Sequence, residues 1–187
     1  FFLKMAKKIN PNIVTVLGGP NIRTGENDIK NFLKKHVQLD YYILHEGEEP
    51  FCNLVERIIQ NDRNLFNLPI DGCASLNGDN LVFKPVDFGK KSAQMIQPSP
   101  YLTGWLDPFL KDPNFIPLLE TNRGCPYGCA YCAWGVSALS KVRVRPLDQV
   151  YAEIDYIANN SAKQSSWIFC DANFGILPRD IDIAKKI

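Results

Sequence analysis

Three cysteines fall within eight residues of the stretch Glu120-Thr-Asn-Arg-Gly-Cys125-Pro-Tyr-Gly-Cys129-Ala-Tyr-Cys132-Ala-Trp-Gly135, spaced first by three residues and then by two. Thiolates at that density suit a single inorganic centre, because one short loop can wrap its sulfurs around it. Gly124, Gly128 and Gly135 interleave with them and permit the turns that wrapping needs. Just upstream, Phe115-Ile-Pro-Leu-Leu-Glu-Thr121 reads as a buried strand. The cysteines therefore sit on the loop leaving a strand's C-terminal end, where α/β proteins place their chemistry.

The number of cysteines carries information. A four-iron cluster usually takes four thiolates, and one held by three keeps an iron open for an exogenous ligand. A structural zinc site would want a fourth ligand, commonly from a second Cys-x2-Cys pair. Cys170 could supply one, but no paired motif exists. Disulfides would require an oxidising compartment, and no export signal is present. Spacing, glycines and the strand context agree on iron–sulfur. Cys52, Cys73 and Cys170 read as buried small hydrophobes.

The elements that must position this loop follow from pattern. With 187 residues, 45% of them hydrophobic, the chain can bury a core as one large or two small domains. A net charge of +1 offers no field for nucleic acid and no polybasic membrane patch. No apolar run is long enough to span a bilayer, and the N-terminal Phe-Phe-Leu-Lys-Met-Ala-Lys-Lys-Ile is too short and charged for a signal peptide. A reduced, cytoplasmic protein with neither nucleic acid nor membrane as partner is expected.

Residues 1–10 read as the end of a helix with Phe2, Met5 and Ile9 on one face. Residues 13–17 read as a buried parallel strand ending at Gly18-Gly19-Pro20, where backbone can approach a ligand. A helix over 26–36 follows, then a strand over 41–44. Next comes the loop His45-Glu-Gly-Glu-Glu-Pro50, with Pro50 as the first residue of a helix reaching Gln60. Residues 71–83 read as a hairpin turning at Asn77-Gly78, and the proline-rich segment to residue 114 as a linker. Beyond the cysteines, 147–160 reads as an amphipathic helix whose apolar face holds Leu147, Val150, Tyr151, Ile154 and Ile157. A strand over 166–170, the loop Asp171-Ala-Asn-Phe-Gly175 and a helix from Asp180 close the pattern.

The Cys-x3-Cys-x2-Cys spacing with Tyr131 before its last cysteine resembles the radical S-adenosylmethionine enzymes. Val16-Leu-Gly-Gly-Pro20, Glu46-Gly-Glu48 after a strand, Pro98-Ser-Pro-Tyr101 and the cysteine loop, in that order, resemble their cobalamin-dependent subfamily. The resemblance implies an α/β fold: a partial Rossmann-like cobalamin-binding domain over 1–88, a linker over 89–114, and the first two β–α units of a partial (β/α) barrel over 115–187. It implies a fragment of a longer enzyme. Cys125, Cys129 and Cys132 would bind a [4Fe–4S] cluster whose open iron chelates S-adenosylmethionine for reductive cleavage, with Tyr131 near the adenine.

Gly18, Gly19 and Glu46 would lie near cobalamin, with a ligand-free turn and a solvated helix start as the alternatives. Asp171 and Asn173 stand where family members hold the methionyl amino group, with loop capping as the alternative. Arg143 or Arg145 could pair with an anion, although their alternation also suits a solvated strand face. His36 and His45 read as surface or satisfied histidines, and Trp105 and Trp134 as packing anchors. The implied reaction is methyl transfer to an unactivated carbon or phosphorus centre of a small-molecule or peptide-derived substrate. An external electron donor such as flavodoxin or ferredoxin would supply the reducing equivalents. A radical cyclase or oxidoreductase without methyl transfer, and a non-enzymatic metal-binding module, are the rival readings. No general acid or base is assigned.

Overall fold

Tyr41–Ile43 form one of the two inner strands around which the first half of the chain is built. The computed structural model describes residues 1–19, 22–60, 68–86, 94–132, 140–162 and 166–187. It divides into two units, residues 1–86 and 87–187. The first unit runs α1 (Phe2–Ile9), β1 (Val16–Gly18), α2 (Glu26–Lys35), β2 (Tyr41–Ile43), α3 (Glu48–Ile59), β3 (Cys73–Asn77) and β4 (Asn80–Phe83). Its sheet has the order β1-β2-β3-β4, with β1 and β2 parallel and the β3–β4 hairpin added antiparallel. Strand alternation sorts the side chains of a segment buried on both faces. Tyr42 and Leu44 pack with Ile29 and Leu33 of α2, whereas Tyr41 and Ile43 pack with Leu54 of α3.

Several expectations shift. The face of α1 carrying Phe2, Met5 and Ile9 is exposed, and Leu3 reaches the core instead. Lys7, one turn from Leu3, fixes that rotation by binding Asp40 at 2.6 Å and the Ile13 carbonyl at 2.6 Å. The strand expected over 13–17 is the edge strand β1, so Ile13 and Leu17 remain part-exposed. Pro50 is the third residue of α3 rather than its first, still within the turn whose N–H groups lack intrahelical partners. Asn77 pairs with Asn80, so the hairpin turns at Gly78 and Asp79, one residue later than expected.

The second unit runs α4 (Asp107–Leu110), β5 (Leu118–Leu119), β6 (Asn122–Arg123), β7 (Arg143–Val144), α5 (Leu147–Asn160), β8 (Ile168–Phe169) and α6 (Arg179–Lys186). β5 and β8 pair in parallel, with α5 in the crossover between them, while β6 and β7 form an antiparallel pair. Helix α5 has the expected bounds and buries Val150, Ile154 and Ile157 against Leu119, Leu110 and Ile183.

The proline-rich segment is stitched into this unit. The Met95 N–H donates to the Val144 carbonyl at 2.8 Å. The Tyr101 hydroxyl donates to the Leu118 carbonyl at 2.7 Å and accepts from the Leu118 N–H at 3.0 Å. Tyr101→Phe leaves both backbone groups of Leu118 without that partner. We expect a loss of about 1–2 kcal/mol in urea unfolding, and a change below about 0.5 kcal/mol would mean that water replaces the hydroxyl.

Trp105 is 81% exposed and anchors nothing, whereas Trp167 packs against the core; Trp134 lies outside the described residues. Cys73 is buried as expected, but Cys52 and Cys170 are exposed, Cys52 on α3 and Cys170 just past β8. Among the described residues no helix is long and apolar enough to cross a membrane.

Candidate functional site

Leu119 anchors the end of β5 in the core, and the chain then turns outward at buried Gly124, whose φ of +99° would strain any residue bearing a Cβ. Cys125, Cys129 and Cys132 follow as free, half-buried thiols. The Cys132 N–H donates to the Cys129 carbonyl at 3.1 Å, which places these two in one tight turn. Cys125 meets the loop that follows β8, its Sγ lying 2.9 Å from Asn173 Nδ2.

Among the described residues, no three His, Cys, Asp or Glu side chains are close enough to hold one metal ion. Full convergence of the three sulfurs is thus not imposed by the chain. The donor set fits an iron–sulfur centre: three soft sulfurs, unpaired, on one loop. Cys170 lies exposed just past β8, and desolvation together with the charges of Glu120 and Asp171 pushes its thiol above the ordinary range.

The loop after β8 meets the cysteine loop through two residues with different tasks. Asp171 Oδ1 accepts from the Thr121 N–H at 2.6 Å and the Asn122 N–H at 3.2 Å. Asp171 Oδ2 accepts from Thr121 Oγ1 at 2.5 Å and Asn122 Nδ2 at 2.8 Å. A carboxylate has about four lone-pair sites, and here the chain itself occupies them all. Asp171 therefore clamps the end of β8 to residues 121–122 and keeps no lone pair for an amino group. Burial raises the pKa of its carboxyl, against the opposing hydrogen bonds from Thr121 and Asn122. Asn173 instead directs its Nδ2 to Cys125 Sγ at 2.9 Å. Tyr131 is 93% exposed beside Cys132.

Arg143 and Arg145 are buried at 5% and 8% exposure, so the solvated strand face is corrected. They share one face by strand periodicity, and that face points inward. Arg145 donates from Nε to the Glu120 carbonyl at 3.1 Å and approaches Glu153 at 3.7 Å. That arrangement supports the strand end that bears the cysteine loop.

The second predicted region lies in the first unit. A cleft of about 440 Å³ opens at the carboxyl ends of β1 and β2, lined by Val16, Leu17, Gly18, Gly19, Ile43, His45, Gly47, Glu48 and Phe51. Open α/β sheets bind ligands at such ends. Gly19 has φ +106°, and its carbonyl accepts the Tyr42 hydroxyl at 2.6 Å. A Cβ on Gly18 would lie 3.3 Å from the Ile43 carbonyl oxygen. Glu46 is half-buried in the neighbouring loop but does not line the cleft.

His45, expected as a surface or satisfied residue, lines the cleft at φ +60°, and burial lowers its pKa. Sequence reasoning missed His45 and Phe51 as lining residues. A left-handed histidine has no sequence signal, while Phe51 was findable as the apolar residue on the first turn of a helix facing a glycine turn. His36 is exposed and bonds the Phe32 carbonyl at 2.8 Å, as expected.

No family model matches the chain. The 2-(S-pantetheinyl)-carbapenam-3-carboxylate methyltransferase of Streptantibioticus cattleyicolor is 33% identical over 190 residues, covering 98% of this chain and 27% of that protein. The cobalamin-dependent radical SAM methyltransferase TokK of Streptomyces tokunonensis is 34% identical over 192 residues, with 98% and 27% coverage. The anaerobic magnesium-protoporphyrin IX monomethyl ester cyclase of Cereibacter sphaeroides is 27% identical over 160 residues, with 84% and 25% coverage.

Among solved structures, the radical S-adenosylmethionine methyltransferase TsrM from Kitasatospora setae, with tryptophan and aza-SAM bound, superposes with a TM-score of 0.62 at 16% identity. It covers 99% of this chain and 36% of that one. The cobalamin-dependent radical enzyme OxsB, with aqua-cobalamin and S-adenosylmethionine bound, gives 0.61 at 20% identity, covering 99% and 26%. These two carry the α/β fold. The chain spans about a quarter of the length of the curated relatives it matches. Identity of 33–34% extends over 98% of its residues, across both units, and the chain belongs to the cobalamin-dependent radical S-adenosylmethionine enzymes.

Proposed function

We propose that Cys125, Cys129 and Cys132 hold a [4Fe–4S] cluster with one open iron, and that the protein uses it with S-adenosylmethionine and cobalamin to methylate an unactivated carbon or phosphorus centre. The observation that carries this reading is a loop of three free thiols at the carboxyl end of a parallel strand, touched by the loop after the neighbouring parallel strand. When bound, the cluster supplies the electron for reductive cleavage of S-adenosylmethionine and cobalamin supplies the methyl-carrying cobalt.

The chain's own part is positional. Asp171 holds the two strand ends together, so the family's contact to the methionyl amino group falls to other groups. Tyr131 offers an exposed ring for the adenine. Gly18 and Gly19 present bare backbone to cobalamin, with Glu46 nearby, while Leu17, Ile43 and Phe51 make the cleft wall apolar. Residues 1–88 are assigned to the Rossmann-like domain, 89–114 to the connecting segment and 115–187 to the start of the barrel. The substrate is a small or peptide-derived molecule, the electron donor a flavodoxin or ferredoxin, and the location the cytoplasm.

The test is anaerobic turnover of the reconstituted protein at its full natural length, supplied with cobalamin, reductant and S-adenosylmethionine bearing a labelled methyl group. Formation of 5′-deoxyadenosine together with S-adenosylhomocysteine is expected. 5′-Deoxyadenosine without S-adenosylhomocysteine would favour the cyclase reading, which the 27%-identical cyclase relative keeps in view. Neither product would contradict both.

A further inference from the structure

We propose that Asn173 tunes the reduction potential of the centre by donating an N–H···S hydrogen bond to the sulfur of Cys125; the proposal rests on the iron–sulfur reading above. The contact is specific. Asn173 Nδ2 lies 2.9 Å from Cys125 Sγ, and a thiolate can only accept, so the amide must present its N–H₂ to it. The contact is also held in place. Two residues earlier, Asp171 is fixed to Thr121 and Asn122 by four hydrogen bonds, and both of those residues are fully buried. Asn173 and Cys125 thus extend from opposite sides of one clamp, and their approach does not depend on a mobile surface group.

The physical consequence has a definite sign. One-electron reduction by an external low-potential donor adds one negative charge, which spreads onto the ligating sulfurs. A donor dipole aimed at a sulfur stabilises that charge, so it favours the reduced form and raises the potential. Sulfur hydrogen bonds are among the groups by which a protein sets such potentials. The tuning group is therefore a neutral amide contributed from the next strand's loop, outside the ligating motif itself. It does not ligate, and it leaves the open iron to its own ligand.

The experiment is a dithionite redox titration, followed by electron paramagnetic resonance, of the reconstituted full-length protein and of Asn173→Leu and Asn173→Asp. Both substitutions keep approximate shape and remove the donor. At a solution potential where the parent protein is half reduced, the reduced-to-oxidised ratio should fall several-fold in Asn173→Leu and further in Asn173→Asp. A tenfold fall corresponds to about 59 mV for a one-electron couple.

A second measurement needs no folded variant. In parent protein labelled with ¹⁵N at the asparagine side-chain amide, pulsed resonance of the reduced centre should show a ¹⁵N hyperfine coupling. Unchanged ratios in variants that retain about four irons, or absence of that coupling, would overturn the role of Asn173 while leaving the cluster reading intact. Failure of the parent protein to assemble a four-iron centre would instead overturn the cluster reading, and this proposal with it.

Discussion

Cys129→Ala is expected to reduce bound iron from about four atoms per chain to below one and to lower S-adenosylmethionine cleavage by more than about 100-fold, the upper end of what loss of a mere supporting group causes. The argument is one of supply. The loop offers three sulfurs, one at each position of the Cys-x3-Cys-x2-Cys spacing. Cys170 lies just past β8, outside the loop that carries the three sulfurs. Two remaining sulfurs cannot define a site-differentiated four-iron centre.

The rest of the fold should survive. The cysteines are half-buried loop residues that belong to none of the core clusters, so the far-ultraviolet dichroism and unfolding midpoint of the metal-free protein should match the parent. Cys125→Ala and Cys132→Ala should behave alike, and Cys52→Ala should leave iron unchanged. Iron analysis with absorbance of the charge-transfer bands checks all four. Retention of stoichiometric iron in Cys129→Ala would break the ligand assignment.

Asp171→Ala should destabilise the second unit by about 4 kcal/mol. Four donors, two of them backbone N–H groups of fully buried residues, lose one charged acceptor. Hydrogen bonds to charged groups contribute roughly 1.5–3 kcal/mol each. They are not additive within one network, so the sum is set well below four times that value.

Asp171→Asn makes a sharper comparison. The introduced amide keeps one oxygen for the two backbone donors and places an N–H₂ group where Oδ2 stood. Thr121 can rotate its hydroxyl to accept. Asn122, whose Oδ1 is buried without a hydrogen-bond partner, can turn its amide to offer that oxygen. The cost should therefore fall to about 1–2 kcal/mol. Equilibrium denaturant unfolding of the metal-free forms measures both, and equal losses in the two variants would contradict the saturation of Asp171.

Much of the scaffold was legible because its physics is local. Helix α5 announces itself by apolar residues at helical spacing, and both of its bounds match. Strand β2 is a dense apolar run because both its faces are covered, and the cysteine loop is legible from spacing alone. What escaped depends on tertiary surroundings. Arg143 and Arg145 have the alternation of a wet strand, and only the packed fold turns that face inward.

Trp105 and Trp167 are chemically equivalent in the sequence, yet one lies in solvent and the other on the core. The apolar stripe of α1 predicts burial of Phe2 and Ile9, but the Lys7–Asp40 pair rotates Leu3 inward instead. The sequence offers Asp171 and Asn173 as candidates either for holding an amino group or for capping their loop. Their division of labour, Asp171 for the clamp and Asn173 for the sulfur, is a matter of ångströms that no one-dimensional pattern carries.

The most direct test of the central claim is electron paramagnetic resonance of the anaerobically reconstituted, dithionite-reduced protein at full natural length, recorded with and without S-adenosylmethionine. The account predicts a [4Fe–4S]⁺ signal that shifts when S-adenosylmethionine is added and is absent in Cys129→Ala. Stoichiometric zinc with no cluster signal, or a cluster signal indifferent to S-adenosylmethionine, would contradict it.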